Sequence, residues 1–435
     1  MLGGAYVQNG QSFTFLTSGT LAANGSQLNV LGSSAVLKFA LAQSGNSLVL
    51  TAQRSGYETA AGNSGESAVG GALSSAGANG AGGAGTQMGA LLGALDAQPT
   101  GGAVSGALNQ LQPLPGSVVQ GASNSLQSGF FRTVDERVAS ARNGIDSMTG
   151  MAAGDTGDAR RAWVRVFGNQ ATQEARGGVD GYRNTGGGIA AGFDKSLDAR
   201  TLVGMVVGAS HADVDRSGAL SGSGVDIDSL QVAAYGSRDY GGWYLEGSAG
   251  YGYNSYKSTR QVSFTGFAGS ARGEFKGHQL SARLGAGWLR PIDDAWAVRW
   301  LASGQVTYLR TGSYAETGAA GANLNVDSAR GTSVLSSLGG QLERAFGTGA
   351  TRYTAIAKAA WQHEFGQTMQ GSASFAAGGP SFTVAGLTPA RDALVLGLGI
   401  TGTDRKGFSL SAGYEAEIRQ QYAGHTIQVK AQWLF

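Results

Sequence analysis

The sequence predicts an all-β protein: a twelve-stranded antiparallel transmembrane β-barrel with an N-terminal luminal α-helix, preceded by a linker and a short β-solenoid remnant. Three observations carry that prediction. Segments of alternating hydrophobicity follow one another from about residue 162, and twelve can be counted before the chain ends at Phe435. In the last of them Ile427, Val429, Ala431, Trp433 and Phe435 share one strand face, while Thr426, Gln428 and Lys430 share the other. Finally, no run of about 18 apolar residues occurs, which removes transmembrane helices and leaves strands as the only means of crossing a bilayer.

Residues 1–54 contain three short stretches of strand-forming residues, around Ser12 to Leu16, Ala35 to Leu41 and Ser47 to Thr51, separated by Gly and Asn turns. They are too little for a domain and read as the last rungs of a solenoid. Residues 55–124 read as linker and pre-barrel segment. The part from Ser55 to Gly85 is Gly, Ala, Ser and Asn with almost no large apolar side chain, so it is expected to be flexible and disordered. Apolar residues then return at helical spacing, as Leu91, Leu92 and Leu95 and as Leu108 and Leu111.

Residues 125–150 hold the predicted luminal helix, running from Ser125 to Asn143 with Gly144 as its stop. Its second half carries Arg132, Asp135, Glu136, Arg137 and Arg142 and is polar nearly all round. Such a helix is weak alone in water but suited to a polar lumen. Residues 155–435 are the predicted barrel. Phase is clearest where Leu394, Leu396, Leu398 and Ile400 share a face, and where Phe408 to Ile418 alternates with Ser409 to Arg419. A soluble sandwich shows the same alternation with its apolar face inward. Long strands, Trp and Tyr near strand ends, and the lack of anything to cover a soluble barrel favour the membrane. Connections alternate between short ones such as Asp198-Ala199 and long Gly/Ser/Ala-rich ones such as Lys257 to Arg272, which places the short turns in the periplasm and the long loops outside.

Composition narrows the function. The chain has 435 residues, 74 of them Gly, 6 Pro and no Cys, with a net charge of +2. The absence of Cys excludes Cys-based zinc and redox sites, and the near-neutral charge gives no reason to expect nucleic acid as a partner. Met1 to Tyr6 shows neither a basic n-region nor an apolar h-region, so an export signal is expected upstream of a fragment.

The order of these parts resembles the C-terminal portion of bacterial autotransporters of the type V secretion class. Leu48 to Arg54 is similar to the end of a passenger's autochaperone region, and Leu92 to Ala97 with Ala107 to Leu111 is similar to a helical pre-barrel segment. Val232 to Ser237, Gly242 to Gly247 and Gly250 to Asn254 resemble the fourth and fifth barrel strands, and Trp433-Leu434-Phe435 the terminal signal. The resemblance implies a translocator in the Gram-negative outer membrane that lets an N-terminal passenger cross and anchors its remnant at the cell surface. It implies as partners outer-membrane lipid, the barrel assembly machinery, periplasmic chaperones and the chain's own passenger. Gly424, Ile427, Val429, Trp433 and Phe435 partly match the family's assembly signal, with Tyr422 where a strongly polar residue is usual. The alternative is a porin-like channel for small solutes, which predicts an open lumen once the residues up to about Gly150 are removed.

No enzyme is expected. His211, His278, His363 and His425 stand on separate strands without metal-ligand spacing, and no cofactor or metal is predicted. Gly331-Thr332-Ser333 resembles the start of a subtilisin-type nucleophile motif but lacks the Met and Pro that follow it. No Gly-x-Ser-x-Gly elbow or phosphate loop occurs. Some autotransporters cut their passenger at an Asn of the luminal helix, which singles out Asn143 with Asp135, Glu136, Glu415 and Glu417. The plainer reading is that Asn143 caps the helix and the carboxylates pair with Arg165, Arg283 and Arg299.

Overall fold

Strand-forming residues at the N-terminus make a three-stranded sheet in the computed structural model, which describes residues 6–21, 34–142, 160–347, 351–404 and 408–432. Strands β1 (Ser12–Thr17), β2 (Leu37–Ser44) and β3 (Ser47–Arg54) lie in the order β1-β3-β2. Both pairings are antiparallel. The expected solenoid remnant is therefore corrected: a solenoid stacks its rungs in parallel, whereas β2 and β3 are joined by a tight turn at Gly45 that forces a hairpin.

The next segment departs most from expectation. Three helices follow, α1 (Ser64–Ala78), α2 (Gln87–Asp96) and α3 (Gly101–Gln110), so the flexible linker predicted from Ser55 to Gly85 is replaced by a packed helix. A capping box starts it: the Asn63 side chain accepts from the Glu66 N–H, and the Glu66 carboxylate accepts from the Gly62 N–H at 2.6 Å. Val69, Ala72, Leu73 and Ala76 are buried. Small residues here allow close packing: a Cβ on Gly70 would stand 2.6 Å from the Glu58 backbone nitrogen.

Helix α4 (Gly116–Arg142) begins nine residues before the predicted Ser125. Gly116 to Asn124 has low helix propensity, with two Val and two Gly, and only its tertiary surroundings hold it helical. Asn143 lies outside the described residues, and of Arg142 only the backbone is described.

The barrel strands come next in chain order. They start with β4 (Arg160–Gln173), β5 (Tyr182–Asp198), β6 (Thr201–Arg216), β7 (Gly224–Asp239), β8 (Trp243–Phe264), β9 (Phe267–Pro291) and β10 (Trp296–Thr311). After short β11 (Tyr314–Ala315) and β12 (Leu324–Val326) come β13 (Ala329–Phe346) and β14 (Thr351–Glu364). Short β15 (Gly371–Phe375) and β16 (Phe382–Val384) precede β17 (Asp392–Asp404), β18 (Ser409–Arg419) and β19 (Tyr422–Gln432). The twelve long strands close into one antiparallel barrel, each paired with its sequence neighbour and β19 pairing with β4. All twelve predicted segments are found.

Alternation now acquires a direction. Leu284, Leu398, Leu230, Phe193 and Ile427 point outward with 60–74 % of their surface exposed, while Arg165, Asn169, Asp194, Gln231, Arg299 and Lys430 are buried inside. An apolar exterior round a polar interior is the arrangement a bilayer requires, because lipid solvates the outer side chains and the closed ladder satisfies the backbone.

The long connections are not plain loops. Lys257 to Arg272 continues β8 and β9 as a hairpin to a turn at Thr265-Gly266, and β11, β12, β15 and β16 form a separate four-stranded sheet. These parts share one apolar core with the N-terminal helices: Tyr57, Leu73, Leu91, Leu95 and Leu108 pack with Val262, Leu324, Phe375 and Phe382. The result is a cap at the long-connection end of the barrel.

Candidate functional site

The lumen is the candidate site, and α4 is its occupant. The helix enters at the long-connection end, where the Met369 N–H donates to Gln120 at 2.8 Å, and reaches Asp194 near the short turn at Asp198. It therefore runs the length of the barrel.

One side of α4 is packed dry against β4 to β8. Near its start Val118, Val119, Ala122 and Leu126 meet Tyr182, Val214, Ile227 and Tyr256. Lower down Phe130, Phe131, Val134 and Val138 meet Trp163, Phe167, Val206 and Tyr235. The wall accommodates them with small residues: a Cβ on Gly208 would lie 2.8 Å from the Phe130 ring. Each buried Phe side chain is worth roughly 1.5–3 kcal/mol of transfer free energy. Within this dry contact an ion pair is buried. Arg137 donates to both Asp194 oxygens at 2.6 and 2.8 Å, and both side chains are fully buried. The Tyr235 hydroxyl donates to the same carboxylate at 2.9 Å and accepts from the Trp163 indole N–H at 2.8 Å. These bonds satisfy lone pairs that water would otherwise fill.

The other side of α4 is wet. It faces a cavity of about 480 Å³ lined by Arg132, Asp135, Arg283, Lys358, Glu415 and Glu417. Arg132 reaches Glu415 at 2.7 Å and donates to Thr426 at 3.1 Å; Lys358 shares Glu415 at 3.0 Å, and Arg283 stands 3.1 Å from Asp135. Glu417 pairs with Arg419 at 2.6 Å, while Glu136, at the edge of the dry contact, pairs with Arg165 of β4. Arg299 pairs instead with Glu343 at 2.7 Å, away from the helix.

At the outer mouth a second set of charges ties the cap together. Arg260, on the β8 extension, pairs with Glu316 and donates to the carbonyls of Gln110 and Ala322, joining barrel, α3 and the four-stranded sheet. Arg54, closing β3, pairs with Asp96 of α2 at 2.8 Å. Tyr57 donates to Asp96 at 2.7 Å, and burial followed by the nearby Asp96 pushes its hydroxyl pKa well above the ordinary value.

The predicted assembly-signal residues Gly424, Ile427 and Val429 lie on β19, where Ile427 and Val429 face outward beside β4. Trp433 and Phe435 lie outside the described residues. The four His stand apart on the outer wall, His278 and His425 each bonded to a Tyr hydroxyl, His211 and His363 each to Asp. Among the described residues no cluster has metal-ligand character. Ser333 of β13 donates to Glu364 of β14 at 2.5 Å, with no His in this bond. Sequence reasoning missed Asp194, Tyr235 and Lys358, and the whole cap. Asp194 had a legible signal, an acid on the inner face of a predicted strand, but nothing in the sequence said which cation it meets.

A closed barrel that is apolar outside, polar inside and threaded by its own chain defines an outer-membrane β-barrel occupied by a luminal helix. Residues 162–415 match the autotransporter β-domain family model, and the chain belongs to that family. It is 22% identical over 313 residues to an extracellular serine protease of Serratia marcescens, covering 71% of this chain and 29% of that protein. It is 25% identical over 174 residues to outer membrane protein B of Rickettsia japonica, covering 38% of this chain and 10% of that one. The chain thus spans under a third of the length of these relatives. The translocator domain of autotransporter NalP from Neisseria meningitidis has the same fold, with a TM-score of 0.55 at 17% identity over 73% of this chain and 99% of that one. The chain is an outer-membrane translocator for an attached passenger.

Proposed function

We propose that α4 is the tail of the exported segment, left in the pore after the residues ahead of it have passed outward, and that the cap then locks them at the cell surface. The observation that carries this reading is the direction of α4. Its first residues stand at the long-connection mouth and its last at the short-turn end, so everything before Gly116 emerges on the side of the cap. The porin-like alternative has less support, because the helix occupies the lumen and is fastened to its wall on both sides.

On this reading the barrel assembly machinery and periplasmic chaperones act on the strands, and β19, whose pairing with β4 closes the barrel, carries the signal they read. The chain performs no chemistry of its own. Asp135, Glu136, Glu415 and Glu417 are each engaged by Arg or Lys, which favours a fastening role over cleavage beside Asn143. Replacing Asn143 with Ala is expected to leave the chain's mass pattern unchanged; conversion of a cut chain to an intact one would show self-cleavage.

The test places the chain behind an export signal with an epitope ahead of residue 1 and applies protease to intact cells. Surface digestion of the epitope, lost when Phe435 is deleted, is expected. An epitope that stays protected while the barrel is folded and heat-modifiable in the outer membrane overturns the export reading.

A further inference from the structure

The outer wall across β8, β9, β10 and β13 carries two rows of side chains at the two edges of its apolar band. Toward the short turns Trp243, Trp288 and Trp300 are register partners on adjacent strands, each about half exposed. Toward the cap the partners are His278, Arg310 and Arg330. The rows are ten residues apart on β9 and on β10, Trp288 to His278 and Trp300 to Arg310. That is the length of strand that crosses a bilayer at a tilt. Between them the large outward residues are apolar, Leu280, Leu284, Val306, Tyr308, Val334 and Leu338, with the uncharged Thr332 and Ser336 on β13. The upper row therefore lies at headgroup depth in the outer leaflet.

Its charges are unusual for neighbours in a sheet. Arg310 and Arg330 are direct cross-strand partners, both exposed, and Lys276 adds a third cation two residues further out than His278. None of the three has a carboxylate partner among the described residues; the nearby acid on β9, Glu274, is instead the register partner of Lys257. Like charges directly opposite each other destabilise a sheet, a cost that disappears when an anion sits between them. The feature is local. On the same level of β6 and β7 the outward residues are Asp213, Asp215, Asp226 and Asp228, of opposite sign.

We propose that Arg310, Arg330 and Lys276, with His278 beside them, seat the phosphate of an outer-leaflet lipid headgroup, whose acyl chains lie along Leu280, Val306 and Val334. Cations near a charged lipid surface contribute additively to binding, so losing two weakens it at least tenfold, about 1.4 kcal/mol. This goes beyond the translocator reading and needs only the membrane position of the barrel.

The test is native mass spectrometry of the full chain in neutral detergent, titrated with a diphosphorylated glucosamine lipid. Binding is expected to fall at least tenfold in the Arg310→Ser/Arg330→Ser double variant, to fall less in Arg330→Gln alone, and to be unchanged in Arg183→Ser, another outward rim cation on β5. The dephosphorylated lipid is expected to bind no better than to the double variant. Heat-modifiable migration of each variant confirms a folded barrel. Equal binding by the double variant, an equal loss in Arg183→Ser, or equal binding of the dephosphorylated lipid overturns the proposal.

Discussion

The two faces of α4 hold the same helix by different physics. Against β4 to β8 it is a dry contact of aromatic and aliphatic side chains with one buried ion pair; toward β9, β13, β14, β18 and β19 it is a set of ion pairs across water. A dry contact draws on burial and resists salt, whereas charges beside a water-filled cavity are screened. The comparison teaches that the helix is positioned by its apolar face, and that the polar face, though richer in charge, mainly keeps the helix compatible with a hydrated lumen.

The largest effect is expected from emptying the dry side. Phe130→Ala with Phe131→Ala should weaken helix docking by roughly 5 kcal/mol or more, less than the sum of two separate core truncations because the rings touch. Single-channel conductance in planar bilayers should rise toward that of a chain lacking Gly116 to Arg142, and an unchanged conductance would show that the wet side suffices. Arg137→Ala should cost roughly 3–5 kcal/mol, since it strands a buried carboxylate. Adding Asp194→Leu to an Arg137→Met variant should recover most of that loss in a denaturant titration followed by protease protection of α4. A smaller effect is expected on the wet side. Arg132→Ala should cost about 1 kcal/mol, because Glu415 keeps its pair with Lys358 beside the cavity. The smallest concerns salt: raising ionic strength to about 1 M should erase the Arg132→Ala difference and leave the Phe130 difference standing, and parallel shifts in both would erase the distinction between the faces.

Legibility differs between barrel and cap for a physical reason. All twelve barrel strands were visible because a period of two with one lipid face is a local property, readable at Leu394 to Ile400 or Ile427 to Ala431 without knowing any partner. The hairpin of β8 and β9 was read short, since beyond the membrane Lys257 to Arg272 no longer needs an apolar outer face and its alternation fades. The segment from Ser55 to Gly85 looked unstructured because Gly, Ala and Ser carry little local signal. Yet its helix α1 packs on the four-stranded sheet, whose residues lie some 300 positions away, and small side chains are what allow that contact. In the lumen the charged residues of α4 were nameable in advance, and Asp135 and Glu136 meet Arg283 and Arg165. Arg137 finds Asp194, a pairing that depends on how far the helix is threaded.

By itself, then, the amino-acid sequence determined the number of strands, which of their faces meets lipid, and the presence of a helix ahead of them, because each follows from periodicity within a few residues. Only the tertiary structure decided that α4 leans on β4 to β8 and leaves a wet cavity opposite. It alone closed the mouth with a shared core of helices and loops, and set Arg310 beside Arg330 on the outer wall. Those outcomes depend on contacts between distant segments, and their energies come from burial and charge pairing that exist only once the barrel has closed.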